Sequence, residues 1–216
     1  MKRVVYVFIV ILAVLFFNNS IFAQASSVGF GGGIMLMQGD NSDEFETGYF
    51  NTISYDKTIN SYLKLNAYFS YSYVYYEEEA GFFGAYVDND IITIGIMPKF
   101  YTNLSETAQL YIAPNVAYSN VMTLMEIWSP IFDIEDEPSK SLFTFGVNAG
   151  VEIKFSENFG IDVFAAYSNM DLGEAFNELE FDIDLGSGSG ISSSDMDPIE
   201  IETSNINAGI IFKYIF

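Results

Sequence analysis

The 216-residue chain contains no cysteine and no histidine. Without cysteine it has no disulfide bond, no thiolate metal ligand and no thiol nucleophile. Without histidine it lacks the side chain that enzymes use most often as a general base near neutral pH. The sequence therefore predicts a non-enzymatic protein without cofactors, which gains its stability from backbone pairing and packing.

Basic residues are scarce: 8 Lys and Arg stand against 29 Asp and Glu, a formal net charge of -21. A surface this acidic repels phosphate, so nucleic acid is not expected as a partner. Most of the acidic residues fall in four segments, which we expect to be long solvated loops. These segments are Gln38 to Glu46, Glu77 to Asp90, Met122 to Lys140 and Asp171 to Pro198.

Long hydrophobic runs are missing beyond the start of the chain. Residues 4–17 are apolar and follow Lys2 and Arg3, a pattern typical of a secretory signal peptide. We expect residues 1–25 to be cleaved, after Ala23 or Ala25, and residues 26–216 to form one domain. No later segment has the roughly 18 consecutive apolar residues of a membrane-spanning helix.

Aromatic residues, in contrast, are abundant, with 15 Tyr and 21 Phe. In residues 143–155 every odd position is apolar and every even position is polar or glycine. Side chains of a β-strand alternate between two faces, so this segment predicts a strand with one fully apolar face. It is also longer than the usual globular strand of about five or six residues.

The same alternation predicts eight strands. Their approximate ranges are 28–37, 47–55, 63–75, 91–101, 108–120, 143–155, 160–170 and 199–216. Long and short connections alternate along the chain, so an antiparallel meander brings all long loops to one end of the sheet, here the long-loop end. The other end is the short-turn end. Ten strands remain an alternative if Met122 to Lys140 forms an additional hairpin.

The apolar face of such a sheet can point into a soluble barrel or outward into lipid. Outward orientation requires a closed sheet, because lipid offers the backbone no hydrogen-bond partners. Gly146 and Gly150 lie on the polar face, and small side chains suit the narrow interior of an eight-stranded barrel. The sequence therefore predicts an all-β, eight-stranded antiparallel transmembrane up-and-down barrel. A soluble periplasmic binding barrel is the alternative.

The end of the chain carries a recognisable pattern. Asn207, Gly209, Phe212 and Tyr214, with a terminal aromatic at Phe216, follow the order polar, glycine, aromatic, aromatic. In this the chain resembles the small outer-membrane β-barrels of diderm bacteria, the OmpX- and OmpA-like or opacity-type barrels. The resemblance implies delivery by the outer-membrane assembly machinery, which reads these five residues. We also expect a monomer in contact with outer-membrane lipid and lipopolysaccharide.

Several charged residues share the polar, inward face near the short-turn end. They are Lys64, Lys99, Glu152, Lys154, Asp162 and Lys213. Buried charges need partners, so we expect an ion-pair network that fills the lumen. A narrow porin-like channel that selects small solutes is the alternative. Tyr55, Tyr62 and Tyr101 are expected in an aromatic girdle near that end.

The longest loop is the candidate contact surface. Residues 179–185 alternate and are expected to pair with Ile199 and Ile201 across a flexible tip, forming a hairpin above the membrane. Its acidic residues are Glu180, Asp182, Asp184, Asp195 and Asp197. We expect the four acidic loops to serve adhesion, contact with an extracellular protein partner or divalent cations, and envelope integrity.

Overall fold

The structure, a computed structural model, describes residues 26–39, 47–80, 83–128, 133–136, 139–170, 182–184, 190–192 and 203–216. The expected signal peptide lies outside these ranges. The strands are β1 Ser26–Gly39, β2 Gly48–Asn60, β3 Leu63–Ala80, β4 Phe83–Asn103, β5 Ala108–Trp128, β6 Asp133–Asp136, β7 Ser139–Lys154, β8 Phe159–Asn169, β9 Asp182–Asp184, β10 Gly190–Ser192 and β11 Thr203–Ile215. In the described ranges, no helix is long and apolar enough to span a membrane.

Eight of these strands close into a barrel. β1, β2, β3, β4, β5, β7, β8 and β11 pair antiparallel with their neighbours in that order, and β1 pairs with β11. Ser26 and Phe216 fasten this last pair by two backbone hydrogen bonds of 2.9 Å. The predicted eight-stranded up-and-down barrel is confirmed, and the ten-strand alternative is wrong. Instead, β6 pairs with the far end of β5, and β7 continues along that same edge of β5.

The two faces of the barrel follow the alternation in the sequence. On β7, the odd-numbered Phe143 and Phe145 point outward and are 72% and 61% exposed. The even-numbered Thr144, Asn148 and Glu152 are buried inside. The barrel therefore has an apolar outer surface and a polar interior, the reverse of a soluble barrel.

Two predicted long loops are largely strand. β3 and β4 remain paired as far as Ala80 and Phe83, and β4 and β5 as far as Gly84 and Trp128. Above the pair of Tyr49 with Tyr73, β2 no longer accompanies β3. Residues 75–80, 83–88, 124–128 and β6 thus extend past this level as a sheet, called the outer sheet below. Its many carboxylates, such as the consecutive Glu77, Glu78 and Glu79, obscured the alternation there.

A short hairpin is present in the longest loop. β9 pairs with β10, with Ile183 opposite Ile191. Ile199 and Ile201, the partners expected for residues 179–185, lie outside the described residues.

Glycines allow an unusually close approach where β1 meets β11. A Cβ atom added to Gly31 would lie 2.0 Å from the Ile210 carbonyl oxygen, and one added to Gly33 would lie 1.9 Å from that of Ala208. No side chain fits at such distances, and backbone atoms cannot swing aside. The glycine-rich first strand is thus a requirement of barrel closure.

A lysine on the outer face tests which medium that face meets. Val147, 40% exposed on β7, lies among other apolar outward residues. Replacing it by lysine should lower the free energy of unfolding by about 2–4 kcal/mol if this face lies in hydrocarbon. Urea titrations in lipid vesicles, read by gel migration of the folded band, measure the change. The control Phe155→Lys, in the short turn after β7, should cost about 1 kcal/mol or less. Equal losses would argue against a lipid-facing belt.

Candidate functional site

The interior near the short-turn end holds a cluster of charged side chains around Lys99. The Lys99 Nζ lies 2.8 Å from Asp162 Oδ2, 3.4 Å from Glu152 Oε1 and 3.6 Å from Asp56 Oδ1. Lys99 and Asp162 are fully buried, each with a relative exposure of 0%. A lysine so buried stays charged only because carboxylates from three other strands face it.

Lys213 and Lys64 complete this ion cluster. The Lys213 Nζ lies 2.8 Å from Asp56 Oδ2 and 3.1 Å from Asp162 Oδ2, and it also contacts Glu152. Lys64 pairs with Glu152. Three lysines thus meet three carboxylates, and the cluster is electrically neutral.

Aromatic and amide groups support the ion cluster. The Tyr101 hydroxyl donates to Glu152, and the Asn66 amide donates to Asp56 at 2.8 Å. The Lys64 Nζ lies 4.3 Å from the centre of the Tyr101 ring. Such cation–π contacts favour a charged ammonium where water is scarce.

The cluster contains five of the six charged residues expected in the lumen. Lys64, Lys99, Glu152, Asp162 and Lys213 converge, whereas Lys154 is exposed at the end of β7. Asp56 was missed because the sequence placed it in a turn, although β2 continues to Asn60. Counting its even-numbered position along β2 would have put it inside the barrel.

Tyr101 was assigned wrongly to an outer girdle. It is only 8% exposed and points inward, in alternation with the outward Phe100. Tyr62, at 61% exposure, and Tyr214, at 48%, do lie on the outside near that end. The error arose because both faces of the barrel carry aromatic residues there.

The middle of the barrel contains a cavity of about 70 Å³, lined by both polar and apolar side chains. Lys99 and Asp162 of the ion cluster contribute to its lining. Its remaining wall is rich in hydroxyl and amide side chains, among them Ser54, Ser70, Thr93, Asn115, Asn148 and Asn207. We call this space the polar chamber.

Apolar side chains fill the interior toward the long-loop end. The apolar plug consists of Met35, Met37, Val74, Ile91, Val121, Leu142 and Met170, all at most 6% exposed. Val74 shares a face of β3 with the polar Ser70 and Ser72, yet it belongs to this layer. The polar chamber is thus enclosed between the apolar plug and the ion cluster.

Tyrosines and aspartates share the outward face where the apolar belt ends. The Tyr71 hydroxyl donates to Asp90 and the Tyr73 hydroxyl to Asp88. The Tyr49 and Tyr73 rings lie 5.3 Å apart. These residues mark the upper edge of the surface that is suited to hydrocarbon.

The remaining predicted site residues are placed as follows. Phe212, Tyr214 and Phe216 point outward on the closing edge of the barrel, whereas Asn207 and Gly209 occupy inward positions. Asp182 and Asp184 belong to β9. Glu180, Asp195 and Asp197 lie outside the described residues. Among the side chains that are described, no group of three or more acidic residues is arranged to hold a metal ion.

Comparisons with known proteins agree with this architecture. The model of a family described as outer membrane protein β-barrel domain matches residues 9–212. The structure of the outer membrane protein OprG from Pseudomonas aeruginosa matches with a TM-score of 0.51 and 9% identity, over 89% of this chain and 97% of that one. Ail, the attachment invasion locus protein of Yersinia pestis, in complex with the heparin analogue sucrose octasulfate, matches with a TM-score of 0.50 and 16% identity, over 90% and 100%. No curated protein matches the sequence.

A double-mutant cycle tests the ion cluster. Lys99→Met should lower the free energy of unfolding by about 3–5 kcal/mol, because it leaves buried carboxylates without their central cation. Adding Asp162→Asn should recover most of that loss, since the charges balance again. Urea titrations in vesicles measure both. Lys154→Met, an exposed control, should change stability by about 0.5 kcal/mol or less. A double variant no more stable than Lys99→Met would show that the pairing is not what stabilises the interior.

Proposed function

This chain belongs to the family of outer membrane protein β-barrel domains and lies in the bacterial outer membrane, and from that premise we propose that it is a non-enzymatic protein that presents its outer sheet and acidic loops at the cell surface. In barrels of this kind the long loops face the exterior and the short turns face the periplasm. The alternative of a soluble periplasmic barrel is wrong, because the outward face is apolar and the family is one of the outer membrane.

The observation that carries the proposal is the outer sheet. Pairing of β3, β4 and β5 continues well beyond the level at which β2 leaves β3. A barrel that only sealed the membrane would need no such extension. Hydrogen-bonded strands hold their shape better than loops, so the extension offers a partner a fixed surface.

The free edge of the outer sheet is suited to contact with another protein. Within the described residues, positions 76–80 of β3 pair only with β4, so the other side of this strand keeps unpaired backbone groups. Such an edge can accept a strand from a partner. Glu77, Glu78 and Glu79 occupy it. Charge at an edge discourages self-association and favours a basic partner.

The acidic loops extend this preference. With a net charge of -21, the protein attracts cationic segments over several ångströms and repels anionic ones. We propose that Glu180, Asp182, Asp184, Asp195 and Asp197 add to this attraction, toward basic protein segments or divalent cations. Ail was solved with a sulfated polyanion; the charge here predicts the opposite preference for this chain.

Assembly is proposed to depend on the closing strand. Phe212 and Tyr214 on β11 and Phe216 directly after it form an outward aromatic row, where the assembly machinery would meet the strand before closure with β1. Contact with lipid and lipopolysaccharide follows from the apolar belt. The closed barrel leaves no strand of the membrane region unpaired, which supports a monomer.

Binding of a charged peptide tests the surface role. A fluorescent octalysine peptide should bind the folded protein in detergent, and binding should weaken with added salt. Neutralising Glu77, Glu78 and Glu79 to glutamine should weaken it roughly tenfold. The control replaces Glu106 and Glu157, at the short turns, by glutamine and should leave binding unchanged. Equal effects of both sets, or tighter binding of sucrose octasulfate than of octalysine, would contradict the proposal.

Current recordings test the porin-like alternative. We expect no discrete current steps from the folded protein in a planar bilayer, because a dry apolar constriction excludes hydrated ions. Val74, Ile91 and Val121, each at 0% exposure, form that constriction. A change in gel migration on boiling verifies that the recorded sample is folded. Reproducible steps from such a sample would favour a channel over the plugged lumen.

A further inference from the structure

The pairing of β4 with β5 is interrupted within the part of the barrel that faces lipid. The two strands pair down to Ile96 and Val116, and they pair again at Phe100 and Ile112. The residues between these points form no pair across this seam, although both strands keep their pairing with β3 and β7 there. We call this interruption the β4–β5 slit.

Two prolines explain the slit. The register on either side places Pro98 opposite Pro114, and a proline has no N–H to donate. In an antiparallel ladder a residue directs its backbone groups at one neighbouring strand. Because β3 and β7 stay paired without a proline N–H, the carbonyls of both prolines face the slit. The two strands therefore exchange no backbone hydrogen bond at this point.

The side chains that border the slit on the outside are apolar. Ile96 and Val116 lie on one side of it and Phe100 and Ile112 on the other, and all of them are between 45% and 56% exposed on the outward face. The distance along the strand from one pair to the other is about 13 Å. A molecule dissolved in the surrounding hydrocarbon therefore meets an apolar entrance that is long enough for a small ring.

The polar chamber lies directly behind the slit. Met97 on β4 and Asn115 on β5 are next to the two prolines in sequence, and both line the chamber. Asn115 is 8% exposed. Its amide nitrogen donates to Asn148 Oδ1 at 2.7 Å, whereas its own Oδ1 has no partner among the described residues. A buried acceptor without a donor is rare, so Asn115 indicates a guest that carries a hydroxyl or an N–H.

The rest of the wall suits a neutral guest with an apolar body. Met35, Phe50, Phe164 and Ile211 contribute apolar surface beside the hydroxyl and amide groups. Methionine side chains adapt to the shape of what they contact. The volume of about 70 Å³ accommodates roughly five to seven water-sized positions, which is the size of a phenol. A charged molecule is disfavoured, because it would have to leave water for hydrocarbon to reach the slit.

We infer that the polar chamber binds a small neutral amphiphile, of the class of phenols and short alcohols, which enters from the lipid through the β4–β5 slit. The hydroxyl of the guest donates to Asn115 Oδ1, and its apolar part contacts Met97. Parting the strands at Pro98 and Pro114 breaks no backbone hydrogen bond, so the barrel opens more readily here than at a continuous seam. The ion cluster and the apolar plug close the two ends of the lumen, and the slit avoids both. The site is independent of the surface role.

Methionine methyl NMR tests the site. The protein is labelled at its methionine methyl groups, placed in lipid nanodiscs and titrated with 4-fluorophenol. Met35, Met97 and Met170 line the chamber, and their signals should shift until they saturate. Met122, 37% exposed on the outside, is an internal control and should show only the gradual drift caused by partition into lipid. Equal, unsaturated drift at all of these methionines would refute binding in the chamber.

The hydroxyl contact is tested with a guest that lacks it. Fluorobenzene, at the same concentration in the lipid, should bind about tenfold more weakly than 4-fluorophenol. Asn115→Leu removes the acceptor and should abolish this preference. The control Thr123→Val should preserve it, because Thr123 is a buried hydroxyl that donates to Asn89 and does not line the chamber. A preference that survives in Asn115→Leu would contradict the assigned contact.

Restoring the missing donors tests the route. Pro98→Val and Pro114→Val each return an N–H to the slit, and the double variant should complete the ladder. Exchange of 4-fluorophenol between lipid and chamber, measured from the methyl line shapes, should then slow about tenfold or more. Ile94→Val, in the intact part of the same seam, is the matched control and should leave exchange unchanged. Unchanged exchange in a double variant that is folded by gel migration would refute entry through the slit.

Discussion

The requirement that every backbone hydrogen bond be made within the protein governs this structure. Hydrocarbon offers no partner to an amide or a carbonyl, so a sheet in the membrane must close on itself. The pair β1–β11 meets that requirement, and it does so at Gly31 and Gly33, where no larger residue fits beside the Ile210 and Ala208 carbonyls. Long-range pairing, rather than a conventional core, therefore determines the fold.

Closure with eight strands leaves an interior only wide enough for side chains, and the sequence fills it in three layers. The neutral ion cluster occupies the short-turn end, the polar chamber the middle and the apolar plug the long-loop end. Each layer solves a different problem of burial. The ion cluster balances charge, the hydroxyls and amides satisfy one another in part, and the plug excludes water.

Local patterning was sufficient to predict the barrel, since residues 143–155 reveal the period of two without ambiguity. It was also sufficient to place Lys99, Glu152, Asp162 and Lys213 inside. It failed where charged residues follow one another along a strand. Glu77, Glu78 and Glu79 break the period of two, so Glu77 to Asp90 resembled a loop although most of it is strand.

Asp56, Tyr101 and the apolar plug show a second limit of the sequence. The alternation tells which face a side chain occupies but not its height in the barrel, because height depends on the stagger between strands. Asp56 looked like a turn residue, and Val74 follows the polar Ser70 and Ser72 on the same face of β3. The pairing register of β2 with β3, which places Asn66 opposite Asp56, is what shows that Asp56 lies at the height of the ion cluster.

The outer sheet also determines what the chain's single tryptophan can report. Trp128 closes β5, paired on one side with Gly84 and on the other with Asp133. It stands outside the lipid belt, on the part of the fold farthest from the closing strands. Because the membrane-spanning strands contain no tryptophan, indole fluorescence originates from this extension and not from the barrel beneath it.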